Sequence, residues 1–188
     1  MKAGLKRAVA AQKAGISAMM LMGVAWAMPV SAQDQPSAPV APTLEYVFEE
    51  VVTLGEAIAP GTTSRGARNI IPITGGRFTG PGRAGEGMAG EIMPGGWDWQ
   101  LTRADGCREV IADYFLKTDD GVVINVRNTG AICPPNADGT PNPVRTHPVF
   151  EAPQGKYDWL NRTTFVGTLE GTTTPQGRGV LIRFFRVN

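Results

Sequence analysis

Residues 107–133 read CREVIADYFLKTDDGVVINVRNTGAIC, two runs of alternating apolar and polar residues on either side of a turn signal. Such alternation indicates half-buried strands, and Asp and Gly between two alternating runs indicate a hairpin. If the loop is the three residues 119–121, the numbers of paired residues sum to 240, so that Leu116 faces Ile124. The stretch therefore predicts an antiparallel hairpin of defined register.

The same register brings the two cysteines of the chain together. Cys107 falls opposite Cys133, and Asp113 falls opposite Arg127. Two cysteines that meet in this way in an exported protein are expected to form a disulfide. Two free buried thiols are the alternative, and a register shifted by one residue would place them on opposite faces. A zinc site needs three or four ligands, and a chain with two cysteines and one histidine gives no sign of metal.

Outside the hairpin, apolar and polar residues tend to alternate from Leu44 to the end of the chain. No stretch of about 12 residues keeps the apolar spacing of a helix. Turn residues separate the runs. We expect an all-β fold, a single antiparallel β-barrel-like domain of about 8 to 10 short strands, because closure removes exposed sheet edges. At most one short helical turn is expected, at 157–161. The strand candidates are 44–52, 68–73, 76–79, 88–93, 97–103, 107–117, 122–129, 146–151, 162–169 and 178–187.

The first strand candidate carries one acidic residue on its apolar face. Leu44, Tyr46, Phe48 and Val52 share a face by alternation, and Glu50 is the exception on that same face.

The amino terminus predicts export. Residues 1–32 combine a basic start, an apolar run and the small residues Val30 and Ala32, which is the pattern of a signal peptide cleaved after Ala32. Residues 33–43 are a Pro- and Ala-rich spacer, and residues 44–188 are the barrel domain. An uncleaved anchor would need about 20 apolar residues, so no stable membrane anchoring is expected after cleavage. The predicted location is periplasmic or secreted.

Charge excludes one class of partner. The 188 residues carry 18 basic and 17 acidic side chains, and removing the leader takes four basic ones away, which leaves a net charge of −3. Nucleic acid calls for a clustered basic face, so no nucleic-acid partner is expected. With 24 glycines and 15 prolines the chain is rich in turns, which disfavours a helical bundle.

Several motifs follow one another from about Leu44 to Val187. They are Gly80-Pro81, GEIMPGGWDW at 90–99, RADG at 103–106, KTDDG at 117–121, RNTG at 127–130, Phe150-Glu151 and YDWLNR at 157–162. In this order they resemble the bacterial and fungal family catalogued as domain of unknown function 3237. The resemblance implies an antiparallel β-barrel-like domain and no established reaction. The leader and the cysteine pair depart from the family pattern and look like adaptations to export.

The most unusual segment is Pro94-Gly95-Gly96-Trp97-Asp98-Trp99. In a regular strand Trp97 and Trp99 share one face and Asp98 takes the other, so one lumen holds all three only if the strand is bulged. The functional interpretation makes Asp98 an acid, a base or an orienting group, with Trp97 and Trp99 as walls of a ligand pocket. The alternative is that Asp98 caps turn amides and both indoles belong to the core.

The segment 157–162 offers further ligand-binding candidates. Asn161 and Arg162 carry an amide and a guanidinium, which can orient a carbonyl or a carboxylate. Trp159 is a candidate for the pocket wall, and its alternative role is to plug the end of the barrel.

Three more side chains are candidates outside that segment. His147 and Glu151 are candidates for proton transfer, His147 because its pKa lies near neutrality in general. The alternative for His147 is an extended loop position before Pro148. Arg127 is a ligand-binding candidate, and its alternative role is a solvated pair with Asp113 on the hairpin.

We predict an exported β-barrel that binds a small apolar or aromatic molecule without a cofactor. The first alternative is a cofactor-independent isomerase, cyclase or lyase that acts on a small carbonyl compound. In such an enzyme Asp98, Glu151, His147, Arg127 and Arg162 are expected to converge on one concave site. The second alternative is a structural or assembly role through homo-oligomerisation. The sequence leaves the choice between catalysis and binding open.

Overall fold

A computed structural model describes residues 38–188, and ten strands in it confirm the all-β prediction. The predicted signal peptide and the first part of the predicted spacer lie outside the described residues. Residues 40–188 form one compact unit. The strands are β1 (Leu44–Leu54), β2 (Ile58–Thr63), β3 (Gly66–Gly80), β4 (Met88–Ile92), β5 (Gly96–Thr102), β6 (Arg108–Thr118), β7 (Val123–Ile132), β8 (Arg145–Glu151), β9 (Phe165–Thr174) and β10 (Gly177–Val187).

The strands close into an antiparallel barrel of eight positions. Around the ring the order is β1, β10, β9, β8, β7, β6, then β4 and β5 together, then β3, which pairs with β1 again. β4 and β5 share one position because they pair in succession with the two halves of β3 and both pair with β6. β2 pairs with β3 outside the ring. Closure leaves the ring without a free edge.

The predicted hairpin and its register are confirmed. Residues of β6 and β7 pair from Arg108 with Ile132 to Lys117 with Val123, so every pair sums to 240. Cys107 and Cys133 form a disulfide, as the register predicts. The loop is tight because the Thr118 amide donates to the Val122 carbonyl over 2.9 Å.

Two strands differ from the sequence expectation. β3 runs unbroken from Gly66 to Gly80, where the turn residues Thr74-Gly75-Gly76 predicted an interruption. Gly75 and Gly76 have φ of 146° and 145°, so they bend the strand as it passes from β5 to β4 rather than ending it. β2 was not predicted, because IAPGTT lacks alternation and all six of its residues are exposed.

A short 3₁₀ helix at Asp158–Arg162 confirms the single predicted helical turn. It buries Trp159 and Leu160 and contributes them to the core of the barrel. Asn161 anchors this turn, since its amide accepts from the Ala152 amide over 2.7 Å and donates to the Ala152 carbonyl over 2.9 Å. Among residues 38–188, no helix is long and apolar enough to cross a membrane.

Aromatic side chains fill the part of the lumen next to the 3₁₀ helix. Phe48 lies at the centre, with its ring centroid 4.6 Å from that of Phe184 and 5.7 Å from that of Phe78. Phe150 packs edge-on against Phe165 with the centroids 4.9 Å apart. Such pairs bury large areas and hold defined geometries, so this end of the barrel is a packed core.

Candidate functional site

The other half of the lumen holds a cavity with room for the centres of water molecules over about 60 Å³. A single water needs at least about 10–15 Å³ on this measure, so several waters or one end of a small organic molecule would fit. Nine aliphatic and five polar side chains form its wall. Leu54 and Ile132, the last residues of β1 and β7, belong to this wall.

A hydrogen bond that crosses the lumen forms the floor of the cavity. Tyr114 on β6 donates its hydroxyl to Glu50 on β1, and both side chains are fully buried. Gly96 makes room for the tyrosine, because a Cβ at Gly96 would lie 2.5 Å from the Tyr114 Cβ. Tyr114 therefore separates the cavity from the aromatic core beneath it.

Glu50 is the buried acid of the barrel. Burial raises the pKa of its carboxyl to about 8, and the hydrogen bond from Tyr114 opposes this only in part. Its second oxygen, Oε2, is buried and has no hydrogen-bond partner among the described residues. Burial and the neighbouring Glu50 also raise the pKa of Tyr114 well above its ordinary value. At neutral pH the pair is therefore a neutral carboxylic acid and a neutral phenol.

Asp98 is the acid that lines the cavity itself. Gln100 Nε2 donates to its Oδ2 over 2.6 Å, and the Ile111 amide donates to its Oδ1 over 3.2 Å. Burial raises the pKa of the Asp98 carboxyl, and these two hydrogen bonds and the charge of Arg108 oppose that rise without cancelling it. A carboxyl held in place with a raised pKa is the kind of group that transfers protons near neutral pH.

Asn128 faces Asp98 across a single small residue. Asp98 on β5 pairs with Ala112 on β6, and Ala112 pairs with Asn128 on β7, so the three lie in one row of the barrel wall. All three line the cavity. The methyl group of Ala112 leaves the space between the acid and the amide open.

Two polar atoms in the cavity wall have no partner. Asn128 Oδ1 and Thr146 Oγ1 are buried and make no hydrogen bond to the described residues. They lie on neighbouring strands, since Gly130 on β7 pairs with Thr146 on β8. Gly167 flanks Thr146 on its other side, and a Cβ there would overlap the Thr146 hydroxyl. The hydroxyl therefore lies against Gly167, and the methyl group of Thr146 lies against Gly130.

The structure separates the two tryptophans from the cavity. β5 is regular, with continuous pairing to β3, so Asp98 points inward while Trp97 and Trp99 point outward. Their side chains are 38% and 45% exposed. The expectation that they wall the pocket is therefore corrected, because alternation in an unbulged strand leaves only one face for the lumen.

The expected convergence of five charged residues is not found. Arg127, His147 and Glu151 are exposed on β7 and β8, where alternation points them away from the lumen. Arg162 is exposed on the 3₁₀ helix and pairs with Asp158 over 3.1 Å. Of the five residues, Asp98 lines the cavity and the other four lie on the outer surface.

The 3₁₀ helix also places its candidates away from the cavity. Trp159 is buried, with its ring centroid 5.9 Å from that of Phe165, which is the plug arrangement weighed as the alternative. Both polar atoms of the Asn161 side-chain amide are hydrogen-bonded to the Ala152 backbone. Neither residue lines the cavity.

Sequence reasoning missed four polar residues of the lumen and flagged a fifth without assigning it a role. Glu50 stood out as the acid on an apolar face. Asn128 lies on the same face of β7 as the buried Ile124 and Val126. That alternation was the sequence feature that could have placed Asn128 in the lumen. The remaining missed residues are Tyr114, Gln100 and Thr146.

No group of three or more His, Cys, Asp or Glu side chains within residues 38–188 is arranged to hold a metal ion. The cavity offers instead one carboxyl beside uncharged hydrogen-bonding groups in an aliphatic wall. Such a site can bind a small, mostly apolar molecule and exchange a proton with it.

Two solved structures share this barrel. A beta-barrel-like protein of Acinetobacter baumannii matches with a TM-score of 0.70 and 30% identity, over 81% of this chain and all of that one. An enzyme of Penicillium herquei matches with a TM-score of 0.62 and 25% identity, over 82% of this chain and all of that one.

Curated relatives agree with the structural match. The chain is 35% identical to a UPF0311 protein of Rhodopseudomonas palustris over 140 residues, 68% of this chain and 88% of that protein. It is 31% identical to a hydroalkoxylation enzyme of Penicillium herquei over 132 residues, 70% of this chain and 77% of that enzyme. The family model for proteins of unknown function DUF3237 matches residues 42–187. The chain therefore belongs to the DUF3237 family.

Proposed function

We propose that the chain binds a small, largely apolar molecule in the cavity and that Asp98 transfers a proton to it without a cofactor. The observation that carries the proposal is the position of Asp98, the carboxyl that lines an otherwise uncharged cavity. The reaction class is an addition, cyclisation or isomerisation that begins with protonation of carbon or oxygen.

The surroundings of Asp98 suit an acid catalyst. Gln100 and the Ile111 amide hold the carboxyl in one orientation, and aliphatic side chains keep its surroundings poor in water. A raised pKa keeps part of the population protonated closer to neutral pH than an exposed aspartate would be. Low polarity also strengthens the interaction between the resulting carboxylate and a cationic substrate.

One relative indicates a specific chemistry. The enzyme of Penicillium herquei that is 31% identical is named for hydroalkoxylation, the addition of an alcohol across a carbon–carbon double bond. In this chain the Asp98 carboxyl would protonate one alkene carbon, and the hydroxyl oxygen of the substrate would bond to the other. The hydroxyl proton would return to Asp98. The product is then an isomer of the substrate, and nothing else is consumed.

The test uses 2-allylphenol and related alkenyl phenols in D₂O, with the products separated by chromatography and weighed by mass spectrometry. We expect the wild type to form a cyclic ether that carries one new carbon–deuterium bond. Asp98→Asn keeps the shape of the side chain but cannot donate the proton, so turnover should fall by about 100-fold or more. The wild-type rate should also fall as pH rises through the pKa of Asp98, since the protonated form is the active one.

Asp113→Asn is the matched control, because Asp113 is exposed on the outer face of β6 and accepts from Asn125 over 2.7 Å. Its turnover should equal that of the wild type. Equal turnover by wild type and Asp98→Asn would exclude Asp98 as the proton donor. Binding of the phenols with no turnover would leave a binding protein that performs no chemistry.

We further infer that the protein functions in the periplasm or outside the cell. The disulfide between Cys107 and Cys133 supports this location, because disulfides persist in oxidising compartments. Intact-mass analysis of the protein recovered from an expressing bacterium's periplasm should give a chain that begins at Gln33. A chain that begins at Met1 and stays with the membrane fraction would contradict the cleaved leader.

A further inference from the structure

The part of the cavity wall formed by β7 and β8 contains a second polar feature that proton transfer by Asp98 does not use. Asn128 Oδ1 and Thr146 Oγ1 are both buried and both lack a hydrogen-bond partner among the described residues. Leaving such an atom unpaired costs about 1–3 kcal/mol, so native interiors hold few of them. Two of them on residues that line one cavity leave a place for a polar partner, which is either an ordered water or a polar group of a ligand.

We propose that Asn128 and Thr146 form a subsite that receives a hydroxyl group of the ligand. The proposal rests on the proposed function, since it assumes that the cavity binds a small molecule, and it adds the chemical class: an apolar body with one hydroxyl, a phenol or an alcohol. Asn128 lies two strands away from Asp98 in the same row of the wall, with Ala112 between them.

Hydrogen-bond chemistry selects the hydroxyl over other polar groups. A carboxamide oxygen only accepts, whereas a threonine hydroxyl both donates and accepts. A ligand hydroxyl can donate to Asn128 Oδ1 and accept from Thr146 Oγ1 at the same time. It serves the reversed orientation of the Asn128 amide equally well, because it also accepts. An ether or a ketone, which has no proton to donate, would leave Asn128 Oδ1 unpaired.

The backbone around Thr146 makes the room for this group. Gly130 and Gly167 flank it on the neighbouring strands, and neither glycine has the positive φ that would by itself require glycine. Side chains at those positions would crowd Thr146, since a Cβ at Gly130 would lie 3.0 Å from Thr146 Cγ2. Gly167 therefore leaves room for the Thr146 hydroxyl, and Gly130 leaves room for its methyl group.

The size and polarity of the cavity limit the size and polarity of the rest of the ligand. Aliphatic side chains such as Val52, Ile73 and Val110 form most of the wall, so the body of the ligand is apolar. The cavity, about 60 Å³, is smaller than the roughly 150 Å³ that hold benzene in a protein core. An aromatic ligand would fill it with its hydroxyl end, and the rest of the ligand would extend beyond the cavity.

The experiment compares phenol with anisole, which has the same ring and an oxygen that cannot donate a hydrogen bond. Calorimetry on the wild type should show phenol binding at least about tenfold more tightly, because anisole leaves Asn128 Oδ1 unpaired. Thr146→Val and Asn128→Leu keep the volumes of the side chains but remove the polar atoms. Asn128→Leu should abolish the preference for phenol while retaining affinity for anisole, because it removes the acceptor that distinguishes the two compounds. Thr146→Val keeps that acceptor and removes only the hydroxyl, so it should weaken phenol binding and retain the preference.

The unliganded variants provide a second readout. Because Thr146→Val removes an unpaired buried hydroxyl, its melting temperature should equal or exceed that of the wild type. Thr168→Val, on the outer face of β9, is the matched control and should keep the preference for phenol.

The outcomes separate the subsite from the proposed function. Equal affinity for phenol and anisole in the wild type overturns the subsite and leaves binding in the cavity intact. A preference for phenol that persists in Asn128→Leu overturns it as well, and so does unchanged phenol affinity in Thr146→Val. Failure of the wild type to bind either compound overturns both the subsite and the proposed function.

Discussion

Glu50→Gln is expected to remove most of the pH dependence of unfolding between about pH 5 and pH 8. The pKa of Glu50 rises from 4.5 to about 8 in the folded barrel because the carboxyl is buried. Between these values the unfolded chain releases the Glu50 proton and the folded chain retains it, which favours unfolding as pH rises. Over the whole window the free energy of unfolding should fall by about 4 to 5 kcal/mol in the wild type.

Urea unfolding at pH 5, 6.5 and 8 measures this difference between wild type and variant. Below about pH 4.5 the wild-type carboxyl is protonated in both states, so the two proteins should have similar stabilities there. At pH 8 the variant should be the more stable, because glutamine still accepts the Tyr114 hydroxyl and carries no ionisable group. Glu151→Gln, at an exposed position, should follow the wild type. Parallel pH profiles of wild type and Glu50→Gln would show that Glu50 does not retain its proton in the folded barrel.

Opening the disulfide is expected to lower the free energy of unfolding by about 3 kcal/mol. Cys107 and Cys133 are 26 residues apart in sequence, and the bond between them restricts the unfolded chain across the whole β6–β7 hairpin. The bond also joins the turn before β6 to the end of β7. Ile132, the last residue of β7, lines the cavity. Denaturant unfolding with and without a reducing agent gives the magnitude.

The control for reduction is the double variant Cys107→Ser, Cys133→Ser, whose stability should not respond to the reducing agent. Thiol titration of the denatured, unreduced wild type should find no free cysteine. Unfolding midpoints that coincide before and after complete reduction would show that the bond adds nothing to stability.

The hairpin was predictable in full because its information is local. Tyr114 and Val126, like every pair in β6 and β7, are joined through one short loop whose residues set the register. Once the register is known, the meeting of Cys107 with Cys133 follows by counting. The same reasoning could not find β2, which carries no alternation and depends on β3 for its pairing.

The site was predictable only in part, since alternation divides the residues of a strand into two faces without saying which face is inside. In β5 the face with Trp97 and Trp99 is the more apolar, yet the structure turns Asp98 inward. The choice follows from pairing on both sides: Asp98 lies in the same row as Ala112 and Asn128, and that row faces the lumen.

By itself, the sequence determined the all-β class, the β6–β7 register, the cysteine partners and the 3₁₀ turn, because each depends on residues close together in the chain. Only the tertiary structure decided what the lumen contains. Barrel closure brings Glu50 and Tyr114 together from 64 positions apart and leaves the Asn128 and Thr146 oxygens unpaired beside Asp98. The contact between Glu50 and Tyr114 forms across the lumen, between strands that are not neighbours in the sheet, and the periodicity of a single strand does not encode it.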